Sequence, residues 1–466
     1  MLIRLDWNGL LSAVTNGSGF VVEYMHDIME RVTNISWRTT SGAAIGGFEY
    51  EYDAVGRIVS RSHVLGDPSH PSQMSQLSQK NYAYDDLDRL ASDGDVSYTY
   101  DAAGNRMTRT EDGETITYTL GVGDRLAAWT SGAYSYDAAG NVTHIERNGR
   151  PTLDLTWNSR YQLVSVSTNG VFAEGYAYDA LCRRVSTTTQ ERTTRHVYDN
   201  NWQVIADLDE DGDVVASYTW GDGIDNLLAV SIGGATYYPL TDIQGTIWGY
   251  VDSQNNVVAR WQYDAWGNVV DEEIASNAAA LASIRYRFQG REWSAATGLV
   301  NFRMRWYDPE TGRWLSKDPI GLSGGLNLYV LCDDDALNYV DWNGFGKFKL
   351  VTKTVKGLKK YISRNSAKKI LVEEGGTVTI EGKGVNKAAK RLCEEVSDCP
   401  IVRHDPHQVG WHTHYQPKRG GFHVNVPGAN LGVMVFGDGF LGNAVDFFNP
   451  LSDVQDIVDI VEEIME

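Results

Sequence analysis

The feature that most restricts the fold of this chain is a repeated aromatic motif. Two aromatic residues separated by one position precede an Asp, and a short turn rich in Gly, Asn and Arg follows. Clear copies are YEYDAVGR from Tyr50, YAYDDLDR from Tyr82, YTYDAAGNR from Tyr98, YSYDAAGN from Tyr134, YAYDALCR from Tyr176 and WQYDAWGN from Trp261. The anchors at Tyr136, Trp157, Tyr178, Tyr198 and Trp220 are 21, 21, 20 and 22 residues apart. A period in this range indicates an array of one small structural unit.

Each unit has the pattern of a β-hairpin. In the copy at Tyr134, the alternating strand Tyr-Ser-Tyr precedes the turn Asp-Ala-Ala-Gly-Asn, and the strand Val-Thr-His-Ile follows it. Gly and Asn permit such a turn, and alternation is typical of half-buried strands. Because one hairpin cannot bury its aromatic face alone, the units must stack into a continuous antiparallel sheet. We expect the aromatic residues to be mainly scaffold, with carbohydrate binding by exposed ones as the alternative.

The composition excludes several classes of protein. With 42% hydrophobic and 22% charged residues, the chain is too apolar to be broadly disordered. It has no run of about 18 apolar residues, and Asp6 and Asn8 interrupt the region where a signal peptide would be apolar. We therefore expect neither a membrane span nor a signal peptide. The 4 cysteines are too few for a disulfide framework, although Cys393 and Cys399 are close enough in sequence to pair.

The charge divides the chain into two parts. Residues 1–346 carry 25 Lys and Arg against 46 Asp and Glu, whereas residues 347–466 carry 16 against 15. Within the second part, 347–391 carry 13 basic and 3 acidic side chains, and 445–466 carry seven acidic ones. Such asymmetry predicts two units with different tasks. The basic stretch is either a solvated face or a surface that faces phosphate.

The repeats, together with the segment FQGREWSAATGLVNFRMRWYDPETGRWLSKDPIGLSGGLNLYVLCDDDALNYVDWNG from Phe288 to Gly344, resemble the RHS/YD-repeat proteins and their RHS-associated core. The resemblance implies a mainly β fold, in which a spiralling antiparallel sheet of hairpins forms part of a shell and the core forms a plug. It also implies a variable C-terminal domain, usually a polymorphic toxin. We predict repeats over 1–287, the core over 288–345, and a small α+β toxin-like domain over 346–466.

The same resemblance implies that the core is an aspartic protease that cuts its own chain. The family uses an Asp-Pro-x-Gly segment, here Asp318 to Gly321, and a second one that begins here at Asp341, where Trp342 replaces the usual Pro. Two carboxyls that share a proton can activate water and protonate a carbonyl. We predict Asp318 and Asp341 as this pair, Lys317 as the cation that keeps one of them ionised, and cleavage near Phe345. The alternative is that both Asp residues only cap turns.

The C-terminal part concentrates histidines in HDPHQVGWHTHYQPKRGGFHVNV, His404 to Val426. If residues 417–420 form a hairpin loop, His414 lies directly across from His423, and His412 lies beside Asn425. Two facing histidines can act as general base and general acid, since their pKa is near 6.5. Either of two loop cations could offset charge on a phosphate; these are Lys418 and Arg419. The pattern favours a metal-independent ribonuclease without a cofactor.

Two other readings use the same residues. His412, His414 and His423 could bind Zn²⁺ or another divalent metal, which would suit a metal-dependent nuclease or hydrolase. The cluster could also be purely structural. Neither an H-x-E motif with C-x-x-C nor an H-E-x-x-H motif is present.

We therefore predict a fragment of an RHS-family polymorphic toxin whose C-terminal domain is a nuclease. The expected partners are a nucleic acid, with RNA favoured, a cognate immunity protein and a component of a delivery system. The expected location is that of a secreted or delivered effector. The alternative is a structural or adhesive YD-repeat protein at the cell surface.

Overall fold

The computed structural model describes residues 2–5, 10–16, 19–68, 78–221, 223 and 225–349, and five short strands beyond them. The chain divides into two compact units, Met1–Val355 with Val458–Glu466, and Lys356–Ile457. No helix in the described part is long and apolar enough to span a membrane. The predicted Cys393–Cys399 pair and the predicted helices of the C-terminal domain lie outside the described residues.

The first unit contains an antiparallel sheet of 26 strands, in which each strand pairs with the next one along the chain. Since no pairing joins its first and last described strands, the sheet is open. The predicted fold class, mainly β with a long sheet of hairpins, is confirmed. The strands are β1 (Leu2–Leu5), β2 (Leu11–Thr15), β3 (Phe20–His26), β4 (Val32–Thr39), β5 (Ala44–Tyr52), β6 (Ile58–Leu65), β7 (Ser78–Tyr84), β8 (Leu90–Asp93), β9 (Val96–Tyr100), β10 (Arg106–Glu111), β11 (Glu114–Leu120), β12 (Leu126–Trp129), β13 (Gly132–Tyr136), β14 (Val142–Arg147), β15 (Leu153–Trp157), β16 (Leu163–Thr168), β17 (Val171–Tyr178), β18 (Arg184–Thr188), β19 (Thr193–Tyr198), β20 (Val204–Leu208), β21 (Val214–Trp220), β22 (Leu227–Ile232), β23 (Ala235–Thr241), β24 (Ile247–Val251), β25 (Val257–Tyr263) and β26 (Val269–Ile274).

The Asp of the repeated motif closes the turn that follows it. In the copy between β5 and β6, Asp53 Oδ1 accepts hydrogen bonds from the Val55 amide at 3.1 Å and the Arg57 amide at 2.8 Å. Its Oδ2 accepts one from Arg57 Nε at 2.7 Å. Asp and the basic or amide residue four positions later thus satisfy the backbone of the turn, which explains why the motif pairs these residue types.

The two aromatic residues of the motif have different tasks. The first points into the core, as Tyr82 does. The second bonds to the preceding repeat: Tyr84 Oη donates to the Ile58 carbonyl at 2.7 Å, and Tyr100 Oη to the Leu90 carbonyl at 2.6 Å. Tyr52, Trp157, Tyr178, Tyr198, Trp220 and Tyr263 make the equivalent bond. Each repeat is therefore held to the one before it, and the aromatic residues are scaffold as expected.

The segment after β26 packs against the buried face of the sheet. It contains short 3₁₀ helices at Ser276–Ser283, Phe288–Gly290, Gly321–Ser323 and Cys332–Asp334, and a four-stranded sheet of β27 (Glu292–Trp293), β28 (Val300–Asn301), β29 (Trp306–Asp308) and β30 (Arg313–Trp314). A final pair joins β31 (Tyr339–Val340) to β32 (Phe348–Lys349). Side chains of this segment complete the hydrophobic core together with those of the repeats. Hydrogen bonds also join the two parts; for example, Asn338 Oδ1 accepts from the Ile58 amide at 2.8 Å.

The second unit contains a five-stranded antiparallel sheet. Its strands are β33 (Val378–Ile380), β34 (Ile401–His404), β35 (Thr413–Pro417), β36 (Phe422–Val426) and β37 (Leu431–Val435), in the order β33-β37-β36-β35-β34.

Candidate self-cleavage site

The two Asp residues predicted as the catalytic pair meet at one arginine. Arg305 Nη2 lies 3.1 Å from Asp318 Oδ2 and 3.2 Å from Asp341 Oδ2. The guanidinium also stacks on Trp314, 4.0 Å from the ring centroid. All three charged side chains are buried, so the arginine offsets part of the cost of placing two carboxyls together away from water.

The chain on either side holds each Asp in place. The Asp318 amide donates to the Leu328 carbonyl at 3.1 Å, and Asp318 Oδ1 accepts from the Ile320 amide at 3.0 Å. The Asp341 amide, just after β31, donates to Gln289 Oε1 at 3.3 Å. Local turns and one long-range contact therefore set the position of the pair.

Asp341 binds the backbone of the segment in which cleavage is predicted. Its Oδ1 accepts from the Gly344 amide at 2.7 Å and the Phe345 amide at 3.2 Å, and its Oδ2 accepts from the Gly346 amide at 3.1 Å. Gly344 has a φ of +82°, and a Cβ there would lie 2.9 Å from a backbone oxygen and 3.0 Å from a backbone nitrogen. Glycine is thus required for the chain to bend around this carboxyl.

Asp318 lies beside Gly324, which also adjoins the segment in which cleavage is predicted. A Cβ atom placed on Gly324 would be 2.5 Å from Asp318 Oδ2 and 3.2 Å from the Phe345 carbonyl oxygen. Asp318 Oδ2 and the Phe345 carbonyl oxygen therefore both lie close to Gly324. The bond between Phe345 and Gly346 has its amide nitrogen bonded to Asp341, and its carbonyl oxygen lies beside Gly324, as Asp318 Oδ2 does.

Both carboxyls are easier to protonate than an ordinary Asp. Burial raises the pKa of Asp318 to about 6, against an opposing effect from Arg305 and with a small contribution from Asp341. Burial also raises the pKa of Asp341, and Arg305 and the amides that it binds oppose the shift. The pair can therefore retain a proton at mildly acidic pH.

The cation that contacts the two carboxyls is not the predicted one. Lys317 was expected to keep one carboxyl ionised, but its side chain is exposed, and the cation that contacts both is Arg305. Sequence reasoning missed Arg305 because it sits in FRMRW with a second arginine, Arg303, and no spacing rule separates the two.

The predicted histidine site is described only at the level of the backbone. In the register of β35 and β36, His414 lies across from Asn425, so the predicted pairing of His414 with His423 is wrong by two residues. On its other side, His414 lies across from His404, which belongs to the same histidine-rich segment but was not among the predicted site residues. Three further predicted site residues lie outside the described part of the chain: His412, Lys418 and Arg419.

A slip of two residues explains the wrong register. A shift of two positions in the partner leaves every side chain on the same face of the sheet, so alternation of polar and apolar residues cannot distinguish the two registers. The described residues contain no group of three or more His, Cys, Asp or Glu that could hold a metal ion. Metal binding by His412, His414 and His423 stays a prediction.

Comparison with known proteins places the chain among shell-forming repeats. Residues 14–323 match the family model described as Teneurin YD-shell. The chain is 30% identical over 263 residues to the tRNA nuclease WapA of Bacillus subtilis, which covers 53% of this chain and 11% of that protein. It is 26% identical over 350 residues to Double-stranded DNA deaminase toxin A of Burkholderia cenocepacia, which covers 67% of this chain and 22% of that protein.

A solved structure agrees with the fold. The Photorhabdus luminescens Tc holotoxin pore superimposes with a TM-score of 0.62 at 20% sequence identity, over 76% of this chain and 20% of that one. At this identity the likeness shows the fold alone. The chain spans only about a tenth of the length of WapA and about a fifth of the pore chain that it matches.

Proposed function

Because this chain belongs to the Teneurin YD-shell family, we propose that it is part of a toxin whose core cuts its own backbone between Phe345 and Gly346. The cut separates the repeats and core from the C-terminal region. The observation that carries this proposal is that two buried carboxyls share Arg305, and that one of them binds the amide of the Phe345–Gly346 bond. The Gly346 amide lies 3.1 Å from Asp341 Oδ2, and the Phe345 carbonyl and Asp318 share the space beside Gly324.

The geometry supports a division of labour between the two acids. Asp341 accepts three amide hydrogens and faces Arg305, so it is suited to be the carboxylate. Asp318, whose pKa is raised to about 6, is suited to carry the proton. Asp341 takes a proton from water as the water oxygen attacks the Phe345 carbonyl carbon, and Asp318 gives its proton to the carbonyl oxygen.

The second step returns both protons. As the tetrahedral intermediate collapses, its hydroxyl proton goes back to Asp318, and Asp341 donates its proton to the Gly346 nitrogen. The C–N bond breaks and leaves a carboxylic acid on Phe345 and an amine on Gly346, which then ionise to a carboxylate and an ammonium group in water. Arg305 limits the repulsion between the two acids throughout.

Expression of single-residue variants tests this proposal. Wild-type chain should yield two fragments on a denaturing gel, with Gly346 as the new N-terminus by sequencing and intact mass. Asp318→Asn and Asp341→Asn should stay intact. Asp335→Asn is the matched control, because burial raises the pKa of Asp335 to about 6 as well, but its carboxyl bonds to Asn338. A single intact wild-type band would contradict the proposal.

We further propose that residues 346–466 act as a nuclease, with RNA as the favoured substrate. The name of one relative, a tRNA nuclease, supports this activity. The name of the other, Double-stranded DNA deaminase toxin A, supports only a nucleic acid as the target. The register of the second sheet supports an acid/base pair at His404 and His414, because they are paired across β34 and β35. His423 is two residues from the partner of His414 and remains a candidate.

The nuclease proposal is tested with the full chain on total RNA and on plasmid DNA, with and without a chelator. Degradation that persists in chelator and is lost in His414→Ala and His404→Ala supports metal-free acid/base catalysis. Loss in chelator supports the metal alternative. His144→Ala is the control, since this histidine pairs with Asp154 on the repeat sheet at 2.7 Å. Degradation of neither substrate would contradict the proposal.

The remaining assignments follow from this function. The relatives include toxins, which supports a delivered or secreted effector for this chain. A toxin that attacks nucleic acid requires a cognate immunity protein in the producing cell. A delivery-system component is the third proposed partner.

A further inference from the structure

We propose that Arg291 and Arg303 are positioning residues that tie the cleaved segment to the repeat sheet through Asp225. This inference rests on the proposed self-cleavage and extends it to residues outside the acidic pair. Its central contact is the carbonyl oxygen of Trp342, which directly follows Asp341. Arg291 Nη1 donates to this oxygen at 3.1 Å, and Arg303 Nη1 donates to it as well.

Asp225 holds both arginines. Arg303 Nη2 lies 2.8 Å from Asp225 Oδ1, Arg303 Nη1 lies 3.2 Å from Asp225 Oδ2, and Arg291 pairs with Oδ1. The side chains of Arg291, Arg303 and Asp225 are 3%, 10% and 11% exposed. Two guanidiniums this deeply buried would repel each other without the shared carboxylate. The carboxylate thus orients both arginines toward one carbonyl.

Trp342 explains why contacts from other segments are needed at this position. A proline at this position would fix the backbone φ by itself. Trp342 has no such restriction. Instead, the Arg303 guanidinium stacks 5.5 Å from the Trp342 ring centroid while it binds the Trp342 carbonyl. The contacts of Arg303 therefore hold Trp342 in place, although its own backbone φ is not fixed by a ring.

The backbone of Arg303 is itself strained in a way that favours this role. Its φ is +66°, in the left-handed region that a long side chain rarely adopts. The Arg303 amide donates to Asn301 Oδ1 at 3.1 Å, which stabilises the bend. This conformation directs the side chain toward Asp225 and Trp342, and such strain is commonly kept at functional sites.

Asp225 also makes the site depend on the repeats. It lies between β21 and β22 of the 26-stranded sheet, whereas Arg291, Arg303 and Trp342 belong to the core segment. The segment to be cut is therefore fixed fully only when the core has docked on the folded sheet. The same network would prevent cleavage in a chain whose repeats are unfolded.

Hydrogen exchange in the Asp318→Asn chain tests the network without any need for cleavage. In this intact background, Arg303→Lys, Arg291→Lys and Asp225→Asn should speed exchange of the Gly344 and Gly346 amides at least about tenfold. Lysine keeps the charge but cannot hold Asp225 and the Trp342 carbonyl together. Arg287→Lys is the matched control, because Arg287 is equally buried and stacks on Trp293 instead.

Cleavage in the otherwise wild-type chain provides the second measurement. Arg303→Lys should cut at least about tenfold more slowly at every pH, with the alkaline limb of the pH profile unmoved, since Asp318 keeps its surroundings. Unchanged exchange in the variants overturns the network, whether or not the wild type cleaves. Faster exchange with an unchanged cleavage rate overturns its positioning role. An intact wild-type chain refutes the proposed self-cleavage alone, because exchange still decides whether the network exists.

Discussion

Raising the pH from 5 to 8 is expected to suppress self-cleavage progressively. The reaction needs Asp318 in its protonated form, and burial raises the pKa of Asp318 from 3.8 to about 6. At pH 6 about half of the chains then carry the proton, at pH 7 about a tenth, and at pH 8 about a hundredth. With an ordinary pKa, fewer than roughly one chain in a thousand would be protonated at pH 7. The rate should therefore fall about tenfold per pH unit above pH 7.

Refolding from denaturant provides the assay, because it starts the reaction at a chosen pH. Chain purified in urea is diluted into buffers from pH 5 to 8, and the two fragments are quantified over time on a denaturing gel. Refolding of the Asp318→Asn chain, followed by tryptophan fluorescence in the same buffers, separates the rate of folding from the rate of cleavage. Only the difference between the two is assigned to the acid pair.

Two results would refute this reasoning. A cleavage rate that stays constant between pH 6 and 8 would mean that Asp318 is not the acid or that its pKa is not raised. A rate that increases between pH 6 and 8 would mean that loss of a proton limits the reaction in this range, whereas the proposed mechanism requires Asp318 to keep one.

Three further substitutions have expected outcomes. Gly344→Ala should abolish cleavage but leave the circular dichroism of the sheet unchanged, because a Cβ would lie 3.0 Å from the Arg305 amide nitrogen at a φ of +82°. Asp334→Asn should stabilise the chain to urea at pH 8 by on the order of 2–4 kcal/mol, and the gain should vanish below about pH 4. The sign follows because burial raises the pKa of Asp334 to about 7, so wild-type stability is lost as pH rises toward that value. Tyr84→Phe should cost about 1–2 kcal/mol in the same unfolding assay, since it removes the 2.7 Å bond to the Ile58 carbonyl and the 2.8 Å bond that Tyr84 Oη accepts from Asn338; no loss would mean that neither bond contributes to the stability of the repeats.

The repeats could be predicted from sequence because their contacts are local. The Asp53 turn is closed by residues two and four positions later, so the motif itself contains the information for the hairpin. The pair of Asp318 and Asp341 was predictable from its resemblance to a known motif. What the resemblance supplied was the identity of the acids; what the structure added was their common contact with Arg305.

The parts that could not be predicted depend on contacts between distant segments. Lys317 was chosen because it is adjacent to Asp318 in sequence, yet neighbours along a chain often point in opposite directions, and this side chain is exposed. The network of Asp225 and Arg303 joins residues 78 positions apart, and no periodic pattern signals it. The predicted register at His414 was wrong for a different reason, because both registers fit the same alternation of polar and apolar residues.

The bonds between repeats also bear on the order in which the chain folds. Tyr100 reaches a carbonyl only 10 residues earlier and Tyr84 one 26 residues earlier, whereas Asn338 reaches the Ile58 amide 280 residues earlier. Short loops close faster than long ones, so the hairpins can fold in the order of the sequence, each one bonded to the hairpin before it. The core can dock only after all of these hairpins have folded. We expect the chain to become able to cut itself only at the end of folding, so that cleavage would be confined to chains whose sheet and core have both folded.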